Sequence, residues 1–240
     1  MTLAISTAPP GDIDELLLRA EQLAGRTLGE VAELVGVEVP RDLRRAKGWV
    51  GQLLETCLGA SAGNLPVPDF QALGVELKTI PTDVSGKPRE STYVCTVPLT
   101  DVDDADWESS TVRLKLGAVL WIPILSDRDL PLAARIVGRP FLWRPDEKEE
   151  AALRRDWEDH LRVIRDGYVD NIRGADGDVH LWNLPSTRLV GGGGRRRLDR
   201  PAPQILRITV HSRCAPLRRH LRQLRGQAAR PRAGHPGAAR

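Results

Sequence analysis

The chain has 240 residues, with 35 basic and 32 acidic side chains and a formal net charge of +3. This length allows one large domain or two small ones, with ample core. The charge is unevenly distributed: 14 arginines and a single acid lie from Arg188 onward, so the first 187 residues carry a net charge of −10. An acidic body excludes a uniformly basic DNA-binding protein, and any approach to nucleic acid would need local basic patches.

The cysteines and histidines argue against a disulfide-stabilised or zinc-binding protein. The three cysteines are odd in number, lie far apart and show no metal-ligand spacing, and the five histidines are scattered. No run of 18 apolar residues is present, and the first ten residues lack the basic and apolar regions of a secretion signal. We therefore expect a cytoplasmic protein without a membrane span.

The N-terminal part of the chain predicts a pair of helices after a flexible segment over residues 1–11. Asp12 with Glu15, and Thr27 with Glu30, have the spacing of capping boxes, in which two side chains satisfy backbone N–H groups at a helix start. Apolar residues at helical spacing follow each pair. We interpret the two helices as scaffold rather than as chemistry.

Residues 47–60 predict a third helix with two different faces. One face is apolar, and the other carries Lys47, Gly51, Glu55 and Gly59 at intervals of four residues. A glycine inside a helix costs about 1 kcal/mol relative to alanine. Two glycines on one stripe therefore indicate the close approach of another backbone or of a ligand. Glu55 by itself is compatible with a solvated acid.

The middle of the chain alternates strands and helices. A first strand over 73–80 and a second over 92–97 are predicted to pair as a hairpin. Pro123 places the buried strand that contains it at a sheet edge or a bulge, since proline cannot donate a ladder hydrogen bond. The remaining predicted elements are a short helix over 111–117, strands over 119–125 and 136–143, a long helix from 146 to about 166, and a hairpin between 169 and 182.

This alternation predicts an α/β domain over residues 12–184, followed by a different kind of sequence. Arginine, proline, glycine and alanine dominate the remainder, with four consecutive glycines at 191–194. Such a composition buries too little apolar surface to form a core of its own. Residues 185–240 are therefore predicted to form a poorly ordered tail, in which only residues 204–210 have strand-like content.

Asp69 and the strand that follows it carry a pattern suited to metal-assisted cleavage of a phosphodiester. Glu76 and Lys78 share one face of the predicted strand, about 7 Å apart. Two carboxylates can hold a hard divalent cation, which lowers the pKa of bound water, and the lysine can orient that water or neutralise charge on the phosphate. By itself this loose pattern favours a solvated strand with a chance ion pair. A third carboxylate, Glu55, on a neighbouring helix makes the metal site the better interpretation.

Five longer segments together resemble the MutH family of DNA mismatch repair endonucleases. The segments are Lys47-Gly-Trp-Val-Gly-Gln-Leu-Leu-Glu, Leu58-Gly-Ala-Ser-Ala-Gly, Pro68-Asp-Phe, Leu73-Gly-Val-Glu-Leu-Lys-Thr-Ile-Pro and Val119-Leu-Trp-Ile-Pro. The resemblance extends from about Leu16 to Leu181, which is most of the chain. Because the segments are long and keep one order, they are far more specific than the bare pattern of acids and lysine.

The resemblance implies a restriction-endonuclease-like α/β fold of the PD-(D/E)xK superfamily, with a mixed sheet flanked by helices and two lobes beside a DNA cleft. It implies a Mg²⁺-dependent nick in the unmethylated strand of a hemimethylated GATC site in double-stranded DNA. It also implies a monomer that is activated by the repair protein MutL, downstream of mismatch recognition by MutS.

Seven residues receive a role from the resemblance. Asp69 and Glu76 match the family's metal-binding acids, Glu55 its helix-borne active-site glutamate and Lys78 its catalytic lysine. Lys47 and Lys115 match basic residues near the DNA and the active site, and Tyr93 stands where the family has an aromatic residue that touches the DNA. Strand packing explains the tyrosine equally well, so its contact with DNA stays open at this point.

Near its C-terminal end the chain departs from the family. Where the family has an Arg-Pro-Lys-Ala-Ala segment, this chain reads Leu184-Pro185-Ser186-Thr187, and no Gly-Phe-Tyr segment follows. In the family those segments contact bases and phosphates, and their tyrosine is linked to reading the methylation of adenine. We hypothesise that the residues beyond about Asn183 derive from a shifted reading frame, with true divergence as the alternative.

Three functions are compatible with this sequence. The first is the mismatch repair nickase. The second is a catalytically impaired protein that binds DNA or MutL, because its recognition arm is lost. The third is a type II restriction endonuclease on the same fold, which would cut both strands. An arginine-rich tail would bind phosphates without sequence preference in any of the three.

Overall fold

The computed structural model describes residues 6–41, 48–98, 103–127 and 129–166, together with the backbone of two strands at 181–185 and 205–210. The described residues form five α-helices and seven strands. The helices are α1 (Ile13–Leu23), α2 (Leu28–Leu34), α3 (Trp49–Leu58), α4 (Thr111–Leu116) and α5 (Glu147–Arg165). The strands are β1 (Glu76–Thr82), β2 (Thr92–Pro98), β3 (Val119–Leu125), β4 (Ile136–Val137), β5 (Phe141–Trp143), β6 (Leu181–Pro185) and β7 (Ile205–Val210).

The larger sheet is mixed and has β3 at its centre. β3 runs parallel to β1, in a register that sets Glu76 opposite Val119 and Lys78 opposite Trp121. On its other side β3 pairs antiparallel with β4 and with β5. A parallel pair needs a long crossover connection, and here the crossover contains β2 and α4.

Helices cover both faces of this sheet, and alternate residues along β1 and β3 enter two separate cores. Leu77 and Leu120 pack in the core formed with α1, α2 and α3. Ile80 and Trp121 pack in the core formed with β2, α4 and α5. The predicted α/β class, a mixed sheet flanked by helices, is therefore confirmed. The alternation predicted for the first strand is also confirmed, with Glu76, Lys78 and Ile80 on one face.

The predicted helix starts coincide with side-chain caps. Thr27 and Glu30 form both halves of the capping box that the sequence predicts. At α1, Asp12 accepts a hydrogen bond from the Glu15 backbone N–H, but the Glu15 carboxylate turns to the backbone N–H of Gly11 instead of completing the box. The long helix α5 begins after a further capping box, and it buries an apolar stripe that includes Leu153, Trp157, Leu161 and Ile164.

The predicted hairpin between the first two strands is wrong. The chain begins to turn back on itself, because Thr82 bridges Pro88 and the Arg89 N–H donates to the carbonyl of Pro81 at 2.9 Å. β2 then leaves β1 and joins a second, smaller sheet of order β2-β7-β6. β7 is formed by the strand-like residues inside the predicted tail. β2 therefore pairs with a late part of the chain instead of with β1. The hairpin predicted between 169 and 182 lies outside the described residues, apart from the start of β6.

Pro123 does not lie at a sheet edge, because β3 has neighbours on both sides. It falls where the antiparallel side is interrupted, between β4 and β5. The Gly138 N–H donates to the carbonyl of Pro123 at 2.7 Å, and a Cβ at Gly138 would lie 3.0 Å from the proline ring. The missing N–H of proline is therefore accommodated by a break in the partner strand rather than by an edge.

The N-terminal segment packs against α1 and α3 over residues 6–11. Arg19 donates to the carbonyls of Ser6 and Ala8, at 3.1 and 2.6 Å. Gly59 ends α3 with a φ of +78°, and a Cβ there would collide with the backbone of Ala8. The close backbone approach predicted from the glycine stripe is thus confirmed at Gly59. At Gly51 a Cβ would meet only the Glu55 carboxylate, at 3.6 Å.

No helix among the described residues is long and apolar enough to cross a membrane.

Replacing Gly59 by alanine is expected to lower the free energy of unfolding by about 2–4 kcal/mol, because the left-handed backbone and the Ala8 backbone both oppose a Cβ. Gly51→Ala is the matched control in the same helix, and it should be neutral or stabilising by up to about 1 kcal/mol. Urea unfolding of both variants checks this. Equal destabilisation by the two substitutions would contradict the packing described for the N-terminal segment.

Candidate active site

Asp69 is brought back onto the first strand by a tight loop. The Phe70 N–H donates to the carbonyl of Val75 at 2.9 Å, which closes the loop, and Gly74 turns the chain with a φ of +62°. This turn delays the strand, which begins at Glu76 rather than at residue 73 as predicted. The Oδ2 atom of Asp69 then accepts a hydrogen bond from the backbone N–H of Leu77 at 2.8 Å. The carboxylate is therefore fixed to the strand that carries Glu76.

Glu76 is the most deeply buried acid of the site, with an exposed fraction of 1 %. Two amines bind its carboxylate. The Nζ atom of Lys78 lies 2.6 Å from Oε1, and the Nζ atom of Lys115 lies 3.0 Å from both Oε1 and Oε2. A carboxylate withdrawn from water is strongly unfavourable unless it is paired and hydrogen-bonded. The two lysines supply that pairing from opposite ends of the crossover.

The parallel pairing of β1 with β3 explains how Lys115 reaches Glu76. The Glu76 N–H donates to the carbonyl of Ala118 at 2.9 Å, and Glu76 stands opposite Val119 in the register. Helix α4 ends at Leu116, directly before β3. A lysine in its last turn therefore lies beside the first residue of β1, although 39 positions separate the two in sequence.

Glu55 on α3 belongs to the same electrostatic cluster. Burial raises the pKa of Glu55, and the negative charges of Asp69 and Glu76 raise it further, while Lys78 and Lys115 oppose the shift. Burial and the charge of Glu76 likewise raise the pKa of Asp69, against its hydrogen bond from Leu77. The structure therefore brings the three predicted acids and two of the predicted lysines close enough to influence one another's ionisation.

The donor set fits a hard divalent cation, although it is not a ready-made cage. Within the described ranges, no three His, Cys, Asp or Glu side chains are gathered as a metal-binding group. Mg²⁺ usually binds one or two carboxylates and completes its shell with water and phosphate oxygens. Asp69 and Glu76 provide such a pair of oxygen ligands, and the Leu77 hydrogen bond engages only one oxygen of Asp69.

Cys95 is a neighbour of the cluster that sequence reasoning missed. A bulge in β2 sets Tyr93 opposite Thr209 and Cys95 opposite Ile208, so Val94 is an extra residue and both Val94 and Cys95 are buried. Burial raises the pKa of the Cys95 thiol to about 11, and Lys115 is the strongest of the charges that oppose this rise. The Cys95 thiol beside the cluster is therefore uncharged. No local sequence pattern indicates that Cys95 lies beside the cluster. Its position depends on the pairing of β2 with β7, whereas the predicted hairpin paired β2 with β1.

The two remaining predicted residues lie outside this cluster or outside the described chain. Tyr93 is 45 % exposed on β2. Its role towards DNA stays a prediction. Lys47 falls among residues 42–47, which the structure does not describe.

Comparison with known proteins identifies the family. The family model described as "DNA mismatch repair enzyme MutH" matches residues 58–156. Similar proteins named "DNA mismatch repair protein MutH" include those of Klebsiella pneumoniae strain 342, which is 55 % identical over 178 residues (74 % of this chain and 77 % of the relative), and of Escherichia coli K12, 49 % identical over 201 residues (81 % and 87 %). Because such identity extends over most of both chains, this chain belongs to the MutH family of DNA mismatch repair endonucleases.

Proposed function

We propose that this endonuclease nicks the unmethylated strand of hemimethylated GATC sites with Mg²⁺ as its cofactor. In this proposal it acts as a monomer in the cytoplasm and is activated by MutL, downstream of MutS. The observation that carries the chemistry is the Glu76 carboxylate, buried between two amines and beside Asp69 and Glu55. The support for the GATC site and for the repair partners is membership in the family.

Asp69 and Glu76 would hold the metal through carboxylate oxygens, with Glu55 as the third acid beside them. When bound, Mg²⁺ would lower the pKa of a coordinated water and polarise the scissile phosphate. Glu76 is buried, both lysine side chains are largely buried, and the buried thiol of Cys95 beside them is neutral. Charges then act over a lower effective dielectric constant than they would in solvent.

We assign Lys78 the role of contacting the reacting atoms directly. Its amine lies 2.6 Å from Glu76 Oε1, so the same carboxylate that would hold the metal also orients the amine. From this position the amine can donate to the attacking water or to a phosphate oxygen that gains negative charge. A protonated amine fits the second role directly, because it is a donor only.

A second function follows from the residues that stand where the family reads DNA. β6 ends in Leu184-Pro185, and the chain continues with Ser186-Thr187 where the family has an Arg-Pro-Lys-Ala-Ala segment. Arginine is the usual reader of guanine edges. An enzyme with intact catalytic groups but weakened site recognition would bind DNA or MutL and nick slowly or with relaxed specificity.

A plasmid with one GATC site separates these functions. With Mg²⁺ and MutL, we expect the unmethylated strand of the hemimethylated plasmid to be nicked, and the fully methylated plasmid to stay intact. A linear product would indicate a restriction endonuclease. Nicks spread over many sequences would indicate lost recognition, and no nicking at any protein concentration would contradict the catalytic assignment.

Substituting the site should abolish nicking without abolishing folding. Glu76→Gln and Lys78→Ala are each expected to lower the single-turnover nicking rate by about 10²–10³-fold, the usual effect of removing a group that stabilises the transition state. Glu21→Gln is the matched control, because that acid lies on the surface of α1 in an ion pair with Arg139. A normal rate for Glu76→Gln would remove this acid from the reaction.

Glu55→Gln should stabilise the metal-free protein while slowing the reaction. The pKa of Glu55 is higher in the folded state than in the unfolded state. Protonated Glu55 therefore favours folding at low pH, and this contribution is lost as the pH rises through the folded-state pKa. Glutamine stays neutral throughout. The variant should therefore gain about 1 kcal/mol at neutral pH, with the gain disappearing below about pH 4. Thermal unfolding in chelator across this pH range measures the gain, and a loss of stability at neutral pH would contradict the view that burial, together with the nearby negative charges, disfavours the ionised form of Glu55.

A further inference from the structure

Lys115, which the resemblance places near the DNA and the active site, binds Glu76 differently from Lys78. Its Nζ atom lies 3.0 Å from each carboxylate oxygen, which sets the amine between them, whereas Lys78 binds Oε1 alone. The Lys115 side chain is 12 % exposed. The amine thus engages both oxygens through which Glu76 would bind a divalent cation.

We propose that the Lys115 amine is an internal cation that occupies the Glu76 carboxylate in the metal-free enzyme and moves to a DNA phosphate when a divalent cation binds. This inference rests on the proposed metal-dependent function and adds a coupling to it. Metal binding alone must displace a favourable ion pair. Metal binding in the presence of DNA offers the amine a second anion, so DNA should strengthen the binding of the metal.

The charges of the cluster favour such coupling. Glu55, Asp69 and Glu76 contribute three negative charges when ionised, and Lys78 and Lys115 contribute two positive charges. A divalent cation added to this set would leave it positive, while the arrival of one phosphate would return it to balance. The site is therefore best matched electrostatically to a metal and a phosphodiester together rather than to the metal alone.

The surroundings of Lys115 allow its side chain to move while helix α4 stays in place. Val112 and Leu116 are buried in the core. Ser110 caps the helix by accepting the Arg113 N–H at 3.1 Å. The Arg113 side chain binds Glu150 on α5 at 2.9 Å. A lysine ammonium on a flexible four-carbon stem can then exchange one anionic partner for another without a change in the backbone.

The test is the affinity for Ca²⁺, a hard cation that also takes oxygen ligands, measured calorimetrically with and without a short duplex containing one GATC site. Lys115→Met should bind Ca²⁺ at least about tenfold more tightly than the unsubstituted chain in the absence of DNA, because it removes a positive charge that competes for the Glu76 carboxylate, and one charge at this distance shifts ionic equilibria by that order. The unsubstituted chain should gain affinity when the duplex is added, and Lys115→Met should gain much less.

Two controls separate this effect from general electrostatics and from misfolding. Arg113→Met removes a positive charge from the same helix but not from Glu76, and it should leave the Ca²⁺ affinity within about twofold. Lys115→Arg keeps the charge and should bind Ca²⁺ no more tightly than the unsubstituted chain. If Lys115→Met fails to fold in chelator, Lys115→Gln is measured in its place, and recovery of the native melting transition on adding Ca²⁺ is the expected second signature.

The outcomes distinguish the inference from the proposed function. An unchanged or weakened Ca²⁺ affinity in Lys115→Met, or an equal gain in Arg113→Met, would overturn the inference while leaving metal-dependent nicking intact. Ca²⁺ binding that is undetectable in every variant, with or without DNA, together with no Mg²⁺-dependent nicking, would overturn both.

Discussion

The burial of one carboxylate is the constraint on which the rest of this structure depends. Glu76 is almost wholly withdrawn from water, and leaving such a charge without partners would cost about 3–5 kcal/mol. Its partners come from the same strand and from a helix at the far end of the crossover. Glu76 can be buried as a charged group only because β1 pairs in parallel with β3 and α4 ends directly before β3, which together bring Lys115 to it.

Around that carboxylate the fold gathers further acids whose charges oppose one another. Burial and neighbouring negative charge raise the pKa values of Glu55 and Asp69. The ionised forms of these acids are therefore less stable in the folded protein than in an unfolded chain. Perturbed acids collected in one place are characteristic of functional sites, where stability is given up for reactivity. The proposed metal site has this character, and a bound cation would favour the ionised forms of its acids.

Features encoded over a few residues could be predicted from the sequence, and features that depend on distant pairing could not. The cap at Thr27 and Glu30 and the shared face of Glu76 and Lys78 follow from local spacing, and the structure has both. The ion pair of Lys115 with Glu76 follows only from the β1–β3 register, which no short pattern encodes. The pairing of β2 was predicted wrongly for the same reason: the short connection between the first two strands predicts a hairpin, while the strand that pairs with β2 lies more than a hundred positions later.

That distant partner has a consequence for how the chain acquires its structure. β7 is the middle strand of the smaller sheet, and the pairs Thr92 with Val210 and Trp182 with Thr209 both depend on it. Until residues 205–210 leave the ribosome, neither β2 nor β6 has its backbone partner, and contacts this distant along the chain form slowly. The nascent protein therefore carries an open strand edge next to its candidate active site. A shortened chain that ends after β6 would keep that edge, with a tendency to pair with other chains.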